Sequence, residues 1–417
     1  MVKAMNKFAL SMINYYVGIV NFEPEDFKKI DDQIRLILIH NNIHLQPSNK
    51  ERLYLPRDEL GRGLACLEHR SELMLYKLNK QFQNTKHVIL RRAAILKIQE
   101  QEKTHFWVIT KYLCNKYNLV ENELTDEQVI LAQKNRLYDN INEKNLHKKL
   151  YSIKSQEIIS LQDSSVWLKK GNIPASREGS LCSLQDRNIF LGERGMCPHC
   201  NASKKSVDHL ASKCEKMLGS DYTRRHNEVL KCIHLLMCNK FGLKSKKKLR
   251  NHTVAEVVAN KFAEIRVDTT VKTDIKIKHN RPDLIVIDKK KKEILIVEVG
   301  ITSIDNLQQV ETEKLRKYDL LANELTQLHG FKTVIVPYVL TWDGVVTTFH
   351  DAHRRRIGIS SRIEAYIQSL VLKKTLESIS FSYRREGDIE SEGTSPEKES
   401  KILQPAVDSF VQAEIRI

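Results

Sequence analysis

No stretch of about 18 or more apolar residues occurs in the 417-residue sequence, so no segment is expected to cross a membrane as a helix. The N-terminus, MVKAMNKFALSMINYYVGIV, lacks the short apolar region and small-residue cleavage site of a secretory signal. Without an export signal, the eight cysteines are expected in a reducing compartment, where thiols bind metal or sit in cores. There is no internal repeat, and Pro and Gly are scarce in the segments of helical spacing. The length allows roughly two to four domains, each able to bury its own core.

What the sequence has in excess is positive charge. Lys and Arg number 68 against 52 Asp and Glu, a formal net charge of +16 with a pI near 9.3. Such an excess suits a polyanionic partner, because neutralising phosphates releases condensed counterions. A solvated, Lys-rich surface would look the same by count alone.

Residues 1–165 read as helical. Lys28–His40 and Glu68–Phe82 place apolar residues at spacings of three and four. Between them, residues 48–64 (SNKERLYLPRDELGRGL) read as an extended run with Pro56 and then a Gly61/Gly63 turn. Residues 166–194 read as a linker containing the loop GNIPASREGS. Residues 222–241 form an amphipathic helix, followed by the basic break KSKKKLR. The pattern then changes to strands: DLIVID at 283–288, a charged turn, and ILIVEV at 294–299. A helix over about 305–328, the strand TVIVPYVL at 333–340 and a helical region at 352–377 follow, and residues 379–417 read as a polar, disordered tail.

Two groups of residues carry chemistry. Cys197, Cys200, His209 and Cys214 have the spacing C-x2-C-x8-H-x4-C, which fits one tetrahedral zinc, with His199 as a less favourable alternative ligand. Cys66, Cys114, Cys182, Cys232 and Cys238 lack partners at ligand spacing and read as buried thiols. Lys204, Lys205 and Lys213 are candidate nucleic-acid contacts beside the zinc. The second group is Asp283 at the head of one strand and Glu298 inside the next. Glu298 is flanked by Leu295, Ile296, Val297, Val299 and Ile301, a costly place for a carboxylate unless it is paired or binds a hard cation such as Mg²⁺. An outward-facing Glu298 on an edge strand, with Asp283 as a turn residue, fits the same spacing.

R-P-D-L-I-V-I-D, then I-V-E-V, then E-K-L-R-K-Y at 313–318, downstream of the C-C-H-C group and of T-R-R-H-N at 223–227, resembles the restriction-like endonuclease of non-LTR (LINE-type) retrotransposons. R-L-Y-L-P-R-x-x-x-G-R-G-L at 52–64 resembles the segment after the polymerase palm in the same polyproteins, and E-G-S-L-C-S-L-Q-D-R at 178–187 the linker before the knuckle. The resemblance runs from about residue 10 to residue 370, in the family's order. It implies a multidomain α+β chain: a helical thumb-like region (1–165), a linker (166–194), a zinc knuckle (195–216), a PD-(D/E)xK nuclease core (217–378) and the tail.

It implies a Mg²⁺-dependent DNA endonuclease that nicks a target strand to prime copying of the element's RNA. The partners would then be DNA and RNA and the site of action nuclear. Asp283 and Glu298 would hold the metal, Lys314 or Lys317 would be the active-site lysine, and Arg281, Arg224 and Arg225 would contact nucleic acid. Glu298 stands where many relatives have Asp. Gly300 stands where ordinary restriction enzymes have their lysine, so the lysine must come from the next helix. There, Leu307, Val310, Tyr318, Leu321, Leu325 and Leu328 form one apolar stripe with Lys314 in its gap and Lys317 to one side. No Tyr-x-Asp-Asp turn occurs, so the chain is expected to lack the polymerase palm, as a fragment of an RNA-directed DNA polymerase polyprotein. A catalytically inactive, nucleic-acid-binding remnant of such an element is the alternative.

Overall fold

The computed structural model describes residues 1–19, 22–100, 104–190, 195–246 and 248–387. It divides into two compact units, one of residues 1–152 and 173–188, the other of 153–172 and 189 onward. Among the described residues no helix is long and apolar enough to cross a membrane.

The first unit is helical: α1 (Pro24–His40), α2 (Leu67–Asn84), α3 (Val88–Glu100), α4 (Thr104–Tyr117), α5 (Asp126–Asn142) and α6 (Ala175–Gln185). Local signals set the starts. Glu23 and Asp26 form a reciprocal capping box ahead of α1 with Pro24 at its first position, and Thr125 and Gln128 do the same for α5. The cap of α2 comes from another helix, because Asp31 of α1 accepts the Leu67 and Glu68 N–H groups at 3.0 Å each. Phe27, Leu38, Leu67, Leu75, Phe106, Ile109, Leu113 and Val129 share the core.

The run 48–64 differs from the expected extended segment, since Glu51–Tyr54 is a helical turn and Arg57–Glu59 a 3₁₀ turn. Gly61 is obligatory here: a Cβ on it would lie 2.0 Å from the Leu55 carbonyl oxygen. Nor is 166–194 a single linker. Helix Val166–Lys170 belongs to the second unit, where Trp167 N–H donates to Gln368 Oε1 at 3.1 Å, and α6 belongs to the first. Inside the first unit α6 and its C-terminal capping residue Asp186 meet 52–64 through buried ion pairs, Arg52–Asp186 at 2.9 Å and Arg62–Glu178 at 3.0 Å.

The second unit is built on one five-stranded sheet in sequential order: β1 (Val257–Ala259), β2 (Ala263–Val267), β3 (Leu284–Asp288), β4 (Glu293–Thr302) and β5 (Lys332–Thr341). Strands β1 to β4 are antiparallel neighbours, and β5 joins β4 in parallel. A parallel neighbour needs a long crossover, supplied by α8 (Leu307–Lys317) and α9 (Asp319–His329), after α7 (Thr223–Lys240) earlier in the chain. The expected single helix is broken at Tyr318. Tyr318, Leu321 and Leu325 share a core with Ile285, Ile287, Ile294 and Ile296, whereas Leu328 is 44% exposed and leaves the expected stripe. The expected terminal helix is two: α10 (His350–Ile357), closed by Gly358 at φ +94°, and α11 (Ser361–Gly387). The expected tail therefore begins inside α11, and its remainder, from 388, lies outside the described residues.

A buried ion pair joins β5, α10 and α11. His350 Nε2 lies 3.0 Å from Glu364 Oε1, and Tyr338 Oη donates to Glu364 Oε2 at 2.6 Å. Burial alone would lower the His350 pKa, but Glu364 raises it above its ordinary 6.5. Burial would raise that of Glu364, but His350 and Tyr338 hold it below 4.5. The pair's contribution is therefore full between 4.5 and 6.5, the two ordinary values. It fades as pH rises through the folded value of His350, and fades as pH falls through that of Glu364. His350→Gln should destabilise the protein by about 3 kcal/mol near pH 6, in the range for breaking a buried pair, and by less at pH 9. Thermal unfolding across that range checks this; a pH-independent deficit would mean that the pair is not charged.

Candidate metal centre and acidic site

The zinc-type group is assembled by a hairpin and a short helix. Cys197 N–H donates to the Ser203 carbonyl at 2.7 Å and Lys205 N–H to that of Gly195 at 2.9 Å, so Cys197-Pro-His-Cys200 rides on the turn. Helix Val207–Ser212 follows, started by the Ser206 hydroxyl, which accepts His209 N–H. The ligand atoms of Cys197, Cys200, His209 and Cys214 all lie within 4.8 Å of one another, so the four can hold a metal ion such as zinc.

Cys197 Sγ and Cys214 Sγ are 3.7 Å apart. A tetrahedron with metal–sulfur bonds of about 2.3 Å has edges of about 3.8 Å. Cys200 Sγ and His209 Nε2 are 3.3 Å apart. Without a cation, burial and the hydrogen bond to Cys197 push the Cys214 thiol up to about 11. Burial and Lys213 hold the His209 imidazole below its ordinary value, which keeps it in the neutral form a metal needs. His199 lies outside the group. The remaining cysteines are free, with Cys182, Cys232 and Cys238 buried and Cys66 and Cys114 half-buried.

The acidic site arises from the β3–β4 pairing. Leu284 is opposite Val297, which sets Asp283 opposite Glu298 one step beyond the ladder. By the two-residue period, Glu298 lies on the Ile294–Ile296 face, the one covered by the crossover helices. It is 1% exposed, which settles the alternative of an outward edge residue against that reading. Asp283 N–H donates to Glu298 Oε1 at 3.0 Å, and Lys314 Nζ donates to Oε2 at 2.9 Å. Asp283 Oδ2 accepts Val299 N–H at 2.8 Å and lies 3.1 Å from His226 Nε2 and 3.9 Å from Lys314 Nζ. Lys317 is more exposed and only skirts Glu298, at 3.8 Å.

Gly300 explains how the lysine enters. A Cβ there would meet Lys314 Cε at 3.0 Å, Lys314 Cδ at 3.2 Å and Val339 Cγ2 at 3.1 Å. The space of a side chain two residues past Glu298 is thus filled by the stem of Lys314. Burial would lower the Lys314 pKa, but Glu298 and Asp283 hold it above 10.5. Burial would raise Asp283, but His226 and Lys314 hold it below 3.8.

His226 was not singled out from the sequence as a site residue. Its ring is placed by α7, with Nδ1 3.1 Å from Asn227 Oδ1 and Tyr222 stacked on it. Only its place in T-R-R-H-N marked it, since nothing in that helix predicts which strand it faces. Tyr318 adds a second support by donating to the Arg281 carbonyl at 2.9 Å.

The expected nucleic-acid contacts divide. Arg225 is 2% exposed and bonds the Ala211 carbonyl and Thr375 Oγ1, so it is a packing residue and not a surface contact. Its spacing on an amphipathic helix already put it near the buried side. Arg224 is half-buried and pairs with Glu377 at 2.9 Å. Arg281 is exposed, bound to Asp268 at 2.8 Å. Lys204 is exposed, and Lys205 lies 5.2 Å from the Phe190 ring centroid.

Compared with known protein families and with curated proteins, the chain matches none. Among the described residues the Cys/His group is the one cluster of three or more metal-type ligands, and the strand carboxylates form a pair. Purified chain should carry about one zinc, because four ligands close a single tetrahedron. Cys197→Ser or Cys214→Ser should release it and expose 195–216 to protease. Elemental analysis of protein prepared without chelator provides the check, and a metal-free preparation would contradict it.

Proposed function

We propose that Asp283, Glu298 and Lys314 form the hydrolytic centre of a Mg²⁺-dependent DNA endonuclease. In this reading the chain is the target-nicking part of a non-LTR retrotransposon polyprotein, acting in the nucleus on target DNA and element RNA. The observation that carries it is the convergence of a strand-borne carboxylate pair with a lysine from the crossover helix, 2.9 Å from one acid and 3.9 Å from the other.

The donor set fits the cation. Mg²⁺ is commonly held by one or two carboxylates, with waters and substrate phosphate completing its shell. Glu298 is fixed by the Asp283 N–H, and Asp283 Oδ2 by Val299 N–H and His226, so both acids are oriented before substrate arrives. When bound, Mg²⁺ supplies an acidified water and neutralises phosphate charge. Lys314 contributes a fixed ammonium, placed to donate to a phosphate oxygen as charge develops on it. Lys317 and Arg281, both more exposed, supply backbone contacts at the rim. The zinc group would be structural.

Nicking of supercoiled plasmid under single-turnover conditions tests the assignment. Asp283→Ala or Glu298→Ala should remove Mg²⁺-dependent nicking by at least about 100-fold while DNA binding persists, since binding comes from dispersed cations. Lys314→Met should do the same, whereas Lys317→Met should mainly weaken binding. Because Lys314's stem fills the space beside Gly300, the double substitution Lys314→Ala/Gly300→Lys should recover part of the activity that Lys314→Ala loses. Nicking that survives the Asp283→Ala/Glu298→Ala double variant would place the chemistry elsewhere. DNA binding with no Mg²⁺-dependent nicking by the wild-type chain would favour the inactive-remnant reading.

A further inference from the structure

The end of the sheet away from the acidic pair is rich in cations. The β3–β4 turn is Lys289–Lys292, the β1–β2 turn carries Lys261, and β5 opens with Lys332, in register with Glu293 at the start of β4. All six lysines are exposed. The two carboxylates at this end are already engaged: Asp288 Oδ1 accepts the Lys290 and Lys291 N–H groups at 3.0 Å each, and Glu293 pairs with Arg356. Nearby, burial first and then Lys291 lower the pKa of Lys240 below 10.5, against the opposing pull of Asp288 and Glu293.

The cations are held in place. Asn260 Oδ1 accepts Phe262 N–H and Ala263 N–H at 2.8 Å each, closing the β1–β2 turn. Lys289 N–H donates to the Phe262 carbonyl at 2.9 Å, tying this turn to the next. The Phe262 ring, 39% exposed, then collects two ammoniums, Lys290 Nζ at 4.1 Å and Lys261 Nζ at 4.7 Å from its centroid. Lysines leaning on a common ring have surrendered part of their rotamer freedom before a ligand arrives, which lowers the cost of binding.

We propose that this end of the sheet is a contact for the phosphate backbone of duplex DNA, separate from the acidic pair. Glu293 precedes Glu298 by five residues on β4, about 16 Å at the rise of a strand. Duplex DNA carries one charge per about 1.7 Å of axis, so a duplex spanning that distance offers about ten phosphates, twice what a single strand offers. The density of unpaired lysines matches the denser polyanion. On the endonuclease reading, on which this consequence rests, duplex engaged here and at the acidic pair together would be held at two points, which sets where along it the acids act.

The experiment is fluorescence anisotropy of a labelled 24-base-pair duplex, titrated with full-length Asp283→Ala protein over a series of KCl concentrations, so that cleavage plays no part in the readout. Replacing Lys289–Lys292 with Ala should weaken binding more than tenfold at low salt. The slope of log K against log[KCl] should become shallower by about 2 to 4, at about 0.9 for each phosphate that is no longer neutralised. Lys→Arg at the same four positions should keep both, and Phe262→Ala should weaken binding with the charge count unchanged. Lys169→Ala/Lys170→Ala, two exposed lysines of the same unit elsewhere in sequence, should change little. An unaltered slope in the four-Ala variant overturns the proposal, as does an equal loss in that control. A larger loss for single-stranded oligonucleotide or heparin than for duplex also overturns it. The result is independent of whether the chain nicks DNA.

Discussion

The second unit depends on a carboxylate buried in the middle of β4, an interior strand of its sheet. Glu298 is 1% exposed, on a strand whose neighbours on both sides are buried apolar residues. Isolated there, its charge would cost several kcal/mol or more, so the fold must bring it partners. It does so from two directions at once. The antiparallel register supplies the Asp283 N–H, and the crossover helix supplies Lys314. The parallel placement of β5 keeps that helix over the strand, and Gly300 leaves room for the lysine stem to descend. Register, crossover and glycine are one solution to one electrostatic problem.

The two ends of the sheet differ in their dominant charge. Acids lie where β3 opens and midway along β4, and lysines lie at the opposite turn. Each end is locally organised by backbone amides: Asp283 is gripped by Val299 N–H at one end, and Asp288 by the lysine turn's own amides at the other. The Cys/His hairpin follows a different rule. It brings four ligand atoms within 4.8 Å of one another, and the short helix that follows is anchored by the buried Val207, Leu210 and Ala211.

Spacing along the chain was enough for features that are local or periodic. The C-x2-C-x8-H-x4-C group, the DLIVID/ILIVEV pairing and the main helices follow from ligand geometry and from two- and 3.6-residue periods. The place of Lys314 in an apolar stripe agrees with its closer approach to Glu298, 2.9 Å against 3.8 Å for Lys317. The resemblance implies a nucleic-acid contact for Arg225, but that side chain is 2% exposed, since four-residue spacing from the buried Val229 turns it inward. The expected linker at 166–194 is instead divided between the two units, because Gly171 and Pro174 mark a break in the chain without saying to which body each side returns.

By itself, then, the sequence determined which groups need partners: a carboxylate among β-branched residues, a lysine in an apolar stripe, thiols at ligand spacing. Tertiary structure alone decided who those partners are. His226 comes to Asp283 from 57 residues away and Glu364 to His350 from 14, while α6 returns across more than 100 residues to neutralise Arg52 and Arg62. None of these pairings has a periodic signature, because each depends on how helices and strands pack once the chain has closed on itself. The need for a counter-charge is a property of a residue and its neighbours in sequence, whereas its satisfaction is a property of the fold.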